Sequence, residues 1–448
     1  MPLHDPQAEW DAELVGGDPL AFAGYTPPRP ESVRTGRTDH YAFVEGRFDV
    51  LGGSMGAAHG ERVVRAYRRA IDERLPVVVR TSTGGARMQE GMVSLVQMAR
   101  TAAAARDHAA AGLLSVAVFG NPTTGGVFAS YASLTDVRAA EAGATIGFAG
   151  PRVVAHRSTA EDAYGAGLVD ALLEPDDAPA WIEAALGLRA VALPRRGQPA
   201  DYEGSDGTAW GEVQLARDPA RPTGIDWAAD LCSSWTELRG VDPVMRAGLA
   251  TMAGQRLVVV AHDRYAASAF GHAGGTGQPT ADGFRLAQRA IALAGRLGLP
   301  LLTLVDTPGA DPGPESEAGG VAGEIARTFA AMDALPTPSV AVCVGEGGSG
   351  GALAIAHADR LLIQRHAVFS VIGPEGAAAI LHRDADRAPE LAEQLKLTAP
   401  ALAELGVVDE VVGEVLDADT LLKAFEAAQV GDRRRRVDAV TERWLSEG

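Results

Sequence analysis

Four short segments recur in one order at an almost fixed distance along this chain. Residues 76–90, PVVVRTSTGGARMQE, match 300–314, PLLTLVDTPGADPGP. Next, LLSVAVFGNPTTGGVFA at 113–129 matches PSVAVCVGEGGSGGALA at 338–354, and ATIGFAGPRVV at 144–154 matches AVFSVIGPEGA at 367–377. Last, GAGLVDALLEP at 165–175 matches LGVVDEVVGEV at 405–415. The first three offsets are 224 (Gly85 to Gly309), 225 (Gly125 to Gly350) and 223 (Pro151 to Pro374). The fourth, Asp170 to Asp409, is 239, which places an insertion after residue 380 of the second copy. Such internal similarity constrains the architecture before any single residue does.

Each copy reads strand, glycine turn, helix, strand, glycine turn, helix, strand. Strands alternating with helices imply βαβ units and a mostly parallel sheet. The run VAVCV is apolar throughout, as befits a strand covered on both faces. The expectation is therefore α/β, with two tandem domains at 1–195 and 211–448 joined by a linker at 196–210. The stretch LPRRGQPADYEGSDG around that linker has the Pro, Gly and charge of a loop. The 88–110 segment spaces Met88, Met92, Leu95 and Met98–Ala99 in three- and four-residue steps, which reads as the core stripe of one helix.

Composition excludes several classes. A formal charge of −18 argues against a general nucleic-acid or membrane-surface binder. The only lysines are Lys396 and Lys423, and neither follows a glycine, so there is no phosphate-binding P-loop and little scope for a Schiff base. Cys232 and Cys343 stand alone, without disulfide framework or zinc spacing, and no bound metal is expected. No run of 18 apolar residues and no secretory signal is visible, so a cytoplasmic protein is expected.

With 53 glycines, short glycine motifs arise cheaply. Gly345–Gly350 satisfies G-x-G-x-x-G, but the next strand lacks the acidic residue that a dinucleotide site needs. Gly347–Gly351 also satisfies the G-x-S-x-G of a nucleophile elbow around Ser349, with Asp359, His366 and His382 downstream. In the repeat alignment Ser349 faces Thr124, and what both copies keep is a glycine pair, Gly125–Gly126 and Gly350–Gly351. Glycines at a helix start leave backbone N–H groups bare at its positive end, which suits an anionic oxygen. Two copies imply two such oxygens, on two reactants. Arg87, Arg152 and the run Arg433–Arg436 are further candidates for anionic ligand groups, the run reading mainly as a solvated or interface patch. Asp306 reads as a turn or helix-cap residue.

At these residues the chain resembles the carboxyltransferase component of bacterial acetyl-CoA carboxylase. The first half is similar to its β subunit in LGGSMGAAHGERVVRA, STGGARMQEGMVSLVQMARTAAA and PTTGGVFASYASLTD. The second half is similar to its α subunit in VQLARDPARPTGIDW, DTPGADPGPESE, GEGGSGGALAI, SVIGPEGAAAIL and LTAPALAELGVVDEVV. The resemblance implies two tandem crotonase-like (ClpP/crotonase) domains that serve one reaction across a dimer interface. That reaction carries a carboxyl group from carboxybiotin to the α-carbon of an acyl-CoA, such as acetyl-CoA giving malonyl-CoA for fatty acid biosynthesis. It implies that Gly125 and Gly126 hold the thioester enolate oxygen and that Gly350 and Gly351 hold the ureido oxygen of biotin. Gly84, Gly85, Ala86, Arg87, Gly147 and Arg152 would line the first pocket, and Gly309, Ala310 and Gly373 the second. Biotin would arrive on a biotin carboxyl carrier protein charged by a biotin carboxylase.

Three departures from the family pattern stand out: no four-cysteine zinc module, a short segment at 38–52, and DRYAASAFGHAGGTGQP in place of a basic stretch before the 281–297 helix. Three alternatives remain at this level. They are decarboxylation of a malonyl-type thioester on the same scaffold, a serine hydrolase using Ser349, and a non-catalytic scaffold for the biotin carrier.

Overall fold

The computed structural model describes residues 8–148, 158–195, 205–266 and 277–445. The chain forms two compact units that divide between Arg189 and Ala190. Residues just after that division belong to the second unit: Leu193 lies in its core and Val191 pairs with Trp235 and Ser234.

The first unit contains β1 (Ala8–Trp10), β2 (Val33–Arg37), β3 (Ala42–Gly46), β4 (Val77–Thr83), β5 (Ser115–Thr124), β6 (Val137–Glu141), β7 (Ile146–Gly147) and β8 (Ala171–Leu173). Their order in the sheet is β1-β2-β3-β4-β5-β6-β8, with β7 joining the end of β5. The second unit contains β9 (Ser234–Leu238), β10 (Met245–Met252), β11 (Gln255–His262), β12 (Leu301–Thr307), β13 (Ser339–Gly348), β14 (Arg360–Gln364), β15 (Val368–Ser370) and β16 (Glu410–Val412). Its order is β9-β10-β11-β12-β13-β14-β16, with β15 on β13. From β3 onward and from β11 onward every pairing is parallel, while the strands before them are antiparallel.

The repeat is visible in the ladders. Val77 faces Ser115 as Leu301 faces Ser339, and Thr83 faces Thr123 as Thr307 faces Gly347. Both ladders shift register at one place, between Thr81 and Thr83 and between Val305 and Thr307. The short strands β7 and β15 meet Thr124 and Gly348 through Gly147 and Ser370. The insertion of the second copy includes the helix Ala388–Gln394, ahead of the helix Ala399–Leu405 that leads into β16.

Each sheet is covered by helices with apolar faces. In Ala57–Asp72 the buried residues include Val63, Val64, Tyr67 and Ala70, at three- and four-residue spacing. In Ala281–Leu297 they include Phe284, Ala287, Ile291 and Ala294, and Gly298 ends the helix in the left-handed region. Every residue of β13 is buried. Each fully buried Val or Leu of these layers contributes about 1.5–3 kcal/mol of transfer free energy.

The stripe at 88–110 is corrected. Gly91 has φ +52 and ψ −132, which breaks the segment into Met88–Glu90, Met92–Leu95 and Gln97–Ala110. The break turns Met88 (82% exposed), Met92 (67%) and Leu95 outward; the first two pieces bury the polar Glu90 and Ser94, and the last packs through Met98, Thr101, Ala104, Ala105 and His108.

Candidate active site

In each unit a glycine turn after one strand lies against the helix start after the next. In the first unit the Gly84–Gly85 turn follows β4. A Cβ on Gly85, where φ is +107, would sit 3.1 Å from Gly125 Cα and 3.2 Å from Gly126 N. Only glycine allows that approach at that φ. The turn is held from behind: Gly84 N–H donates to Gly52 O, Gly85 N–H to Thr83 Oγ1, and Arg87 N–H to Met55 O. Ala86 N–H donates to no described residue, and Gly126 N–H lies ahead of the first acceptor in its helix. Ala86 and Gly126 are neighbours, since a Cβ on Gly126 would lie 3.5 Å from Ala86 Cβ.

Gly125 differs from its sequence reading. Its N–H donates to Phe148 O at 3.0 Å, so the amide that faces outward is that of Gly126. Gly147 pairs with Thr124 one step before this contact. Arg152 lies outside the described residues.

The second unit repeats the arrangement. Gly309 (φ +134) follows β12 and packs on Gly348, with a Cβ position 3.4 Å from Gly348 O and 3.9 Å from Ser349 Cβ. Gly309 N–H donates to Thr307 Oγ1, as Gly85 does to Thr83, and Ala310 N–H donates to no described residue. A Cβ on Gly351 would lie 2.4 Å from Ala310 N, whereas a Cβ on Gly350 would meet nothing within 4 Å. The loop ahead of Ala310 and the helix start are thus in contact, and the face at Gly350 is open.

The ladders also correct the alignment of the glycine pairs. With Thr123 equivalent to Gly347 and Thr124 to Gly348, the equivalent of Ser349 is Gly125, not Thr124. Backbone angles agree: Thr124 has φ −140, Gly125 +65 and Ser349 +56. Gly126 therefore matches Gly350, and Gly351 matches the buried Val127. Ser349 has the positive φ of a nucleophile elbow, but no base among the described residues bonds to it. Its Oγ bonds to no described residue, His366 Nδ1 sits 2.8 Å from Glu212, and Asp359 binds Ser339 and Arg433.

Arg87 is a second correction. It is fully buried, with Nη2 2.5 Å from Glu31 and Nη1 2.9 Å from Glu90, and it also donates to Ser54 O. Burial alone would raise the Glu31 carboxyl, but the Arg87 hydrogen bonds and charge hold it below the usual range. This arginine braces the turn from inside and is closed to ligand. Arg433 is likewise buried, bound to Asp359 and to the carbonyls of Met332 and Leu335, and Arg436 binds Asp409. Only Arg434 and Arg435 of that run are exposed, so it anchors its helix to the second unit.

Asp306 is no turn residue. It is buried at the end of β12, 3.2 Å from Arg264, and accepts from Glu346 N–H. Glu346 bridges Arg264 (2.8 Å) and Arg217 (2.6 Å), and Arg217 continues to Glu375 (2.6 Å), two residues after Gly373. Burial raises the Asp306 pKa. It would raise that of Glu346 too, but the Arg217 hydrogen bond and the Arg264 charge lower it. This network ties the helix start after β13 to the Gly373 turn. Sequence reasoning missed it, although Glu346 lies inside the GEGGSGG motif.

Comparison with known proteins bears on this geometry. Residues 34–169 match the carboxyl transferase domain, and residues 204–433 match the acetyl co-enzyme A carboxylase carboxyltransferase-like family. The chain is 44% identical over 396 residues to the acetyl-coenzyme A carboxylase carboxyl transferase subunits beta/alpha of Salinispora arenicola, covering 82% of this chain and 70% of that protein. The chain belongs to the acetyl-CoA carboxylase carboxyltransferase family. This carboxyltransferase is also 38% identical over 436 residues to a probable biotin-dependent acyl-coenzyme A carboxylase beta3 subunit of Mycobacterium bovis, covering 91% of the chain and 86% of the relative. Among solved structures it is similar to transcarboxylase 12S, with a TM-score of 0.77 and 23% identity over 95% of this chain and 89% of that one. The fold of this carboxyltransferase is thus two tandem crotonase-like domains. No helix among its described residues is long and apolar enough to cross a membrane.

Proposed function

We propose that this carboxyltransferase moves a carboxyl group from carboxylated biotin to the α-carbon of a short acyl-CoA, acetyl-CoA giving malonyl-CoA. The observation that supports this is a repeated pair of amides that donate to no described residue, Ala86 with Gly126 and Ala310 with Gly350. A thioester enolate and a ureido anion each place negative charge on one oxygen, and two fixed N–H donors answer each. Such donors contribute about 3–4 kcal/mol apiece to transition-state stabilisation when set in advance.

In the first unit, Ala86 and Gly126 receive the thioester oxygen, with Gly84, Gly85 and Gly147 shaping the pocket. In the second unit, Ala310 and Gly350 receive the ureido oxygen, with Gly309, Gly351 and Gly373 beside them. The open face at Gly350 and the free amide of Ala310 fit a carbonyl-bearing ring. Biotin on its carrier, when bound, supplies the carboxyl group and a base for the α-proton. This accords with the lack of an unpaired acid or base among the described side chains at either turn. The partners are a biotin carboxyl carrier protein and a biotin carboxylase. The assembly is a homodimer or larger, in which the first unit of one chain works with the second unit of another.

The test is forward carboxylation. The chain is incubated with a carrier charged from labelled bicarbonate and with acetyl-, propionyl- and butyryl-CoA. Label in malonyl-CoA with the others slower supports the reading, and label in none of the three thioesters contradicts it.

A further inference from the structure

The two half-sites share one strand register at their turns, yet at one position they differ in a way that costs backbone strain. Gly125 in the first unit and Ser349 in the second occupy the same place, with φ +65 and +56. Glycine adopts that region freely, whereas a residue with a Cβ is strained there. The Ser349 Oγ bonds to no described residue, the side chain is exposed, and its Cβ lies 3.9 Å from where a Cβ on Gly309 would stand. A hydroxyl held at a strained position, unbonded, beside a pair of free amides is a ligand-facing group.

The asymmetry follows the chemistry of the two reactants. A thioester carbonyl is flanked by sulfur and a methyl or methylene carbon, neither of which offers a conventional hydrogen bond. A ureido carbonyl is flanked by two ring nitrogens, one of which keeps its hydrogen when the other carries the carboxyl group. A hydroxyl beside the oxygen site has a partner in the second case and none in the first. We propose that Ser349 is a specificity residue of the second half-site, its Oγ accepting the ring N–H next to the carbonyl bound by Ala310 and Gly350. Gly125 leaves that place bare because the acyl thioester has nothing there to bond. This inference rests on the assignment of biotin to the second unit. It adds a side chain to a site otherwise made of backbone.

The experiment uses the full chain with free biotin and malonyl-CoA, following biotin-dependent decarboxylation, and compares the parent with Ser349→Gly and Ser349→Ala. One neutral hydrogen bond corresponds to about a 2- to 12-fold loss. Both variants are therefore expected to raise the KM for biotin by that factor, leaving the KM for malonyl-CoA unchanged. Two readouts are independent of turnover. The Kd for free biotin from an NMR titration should weaken by the same factor in both variants. Thermal unfolding should show Ser349→Gly at least as stable as the parent, since the strain is gone. Biotin methylated at the ring nitrogen distal to the carboxylation site should bind the parent more weakly than biotin does, and Ser349→Gly should narrow that preference. An unchanged biotin KM and Kd in both variants overturns the proposal, as does a change confined to malonyl-CoA. If the parent itself shows no biotin-dependent turnover and no biotin binding, it is the assignment of the second unit that has failed.

Discussion

Replacing Gly351 by alanine adds one methyl group at a place where the structure fixes its consequence. The new Cβ would stand 2.4 Å from Ala310 N and 3.0 Å from Ala310 Cβ. Both neighbours belong to the loop that carries the proposed donor. Ordinary contact begins near 3.4 Å, so Ala310 must retreat by about 1 Å, which is backbone movement and not side-chain adjustment. Overpacking of this kind destabilises by about 1–3 kcal/mol, lowering Tm by about 2–4 °C per kcal/mol in a unit of this size. A 1 Å displacement of a positioned group lowers turnover by about 10²-fold. Gly351→Ala is therefore expected to remain folded, melt a few degrees lower and lose about 10²-fold in kcat for biotin-dependent decarboxylation of malonyl-CoA. Gly350→Ala is the control, because its Cβ meets nothing within 4 Å. It should keep the parent Tm and still lose activity, since that open space is where the ureido oxygen is to lie. Turnover at the parent level in Gly351→Ala, with the lowered Tm observed, would refute the role given to Ala310 N–H.

Arg87→Met leaves Glu31 and Glu90 buried without their cation, and about 3–5 kcal/mol of stability should be lost; a denaturant midpoint within error of the parent contradicts the bracing role. Burial holds His59 and His262 at a pKa of about 3, well under the ordinary 6.5. Between those values the unfolded chain binds more protons, so stability falls as pH falls; from pH 7 to 5.5 each histidine should contribute a loss of about 1–1.5 kcal/mol. Urea midpoints at the two pH values measure this, and a slope that His59→Gln and His262→Gln leave unaltered counts against it. Gly126→Val and Gly350→Val should each be inactive alone. Co-assembled from separately tagged chains, they should recover about one quarter of parent activity if each site joins units of two chains; no recovery in a verified mixed oligomer contradicts that assembly.

The repeat carried most of the fold, because nearly equal offsets at Gly85/Gly309 and Gly125/Gly350 call for matching ladders, and the sheets show them. Its limit was one residue. Glycine runs can be aligned in several registers, and it takes the strand pairings, such as Thr123 with Ile146 and Gly347 with Phe369, to show that Ser349 stands where Gly125 does. The arginines were misread for a related reason. Arg87 and Arg433 find Glu31 and Asp359 at separations of 56 and 74 residues, and no local pattern announces a buried pair across such distances. The methionine stripe failed at Gly91, whose positive φ interrupts a periodicity that the side chains alone would continue.

The most direct test of the account is the product formed from malonyl-CoA by the purified chain, with and without free biotin. Two backbone oxyanion sites serving one carboxyl transfer predict acetyl-CoA and CO2, formed only when biotin is present and abolished in both Gly126→Val and Gly350→Val. Release of free CoA without biotin, lost on Ser349→Ala, would instead identify a hydrolase acting through Ser349 and contradict the account.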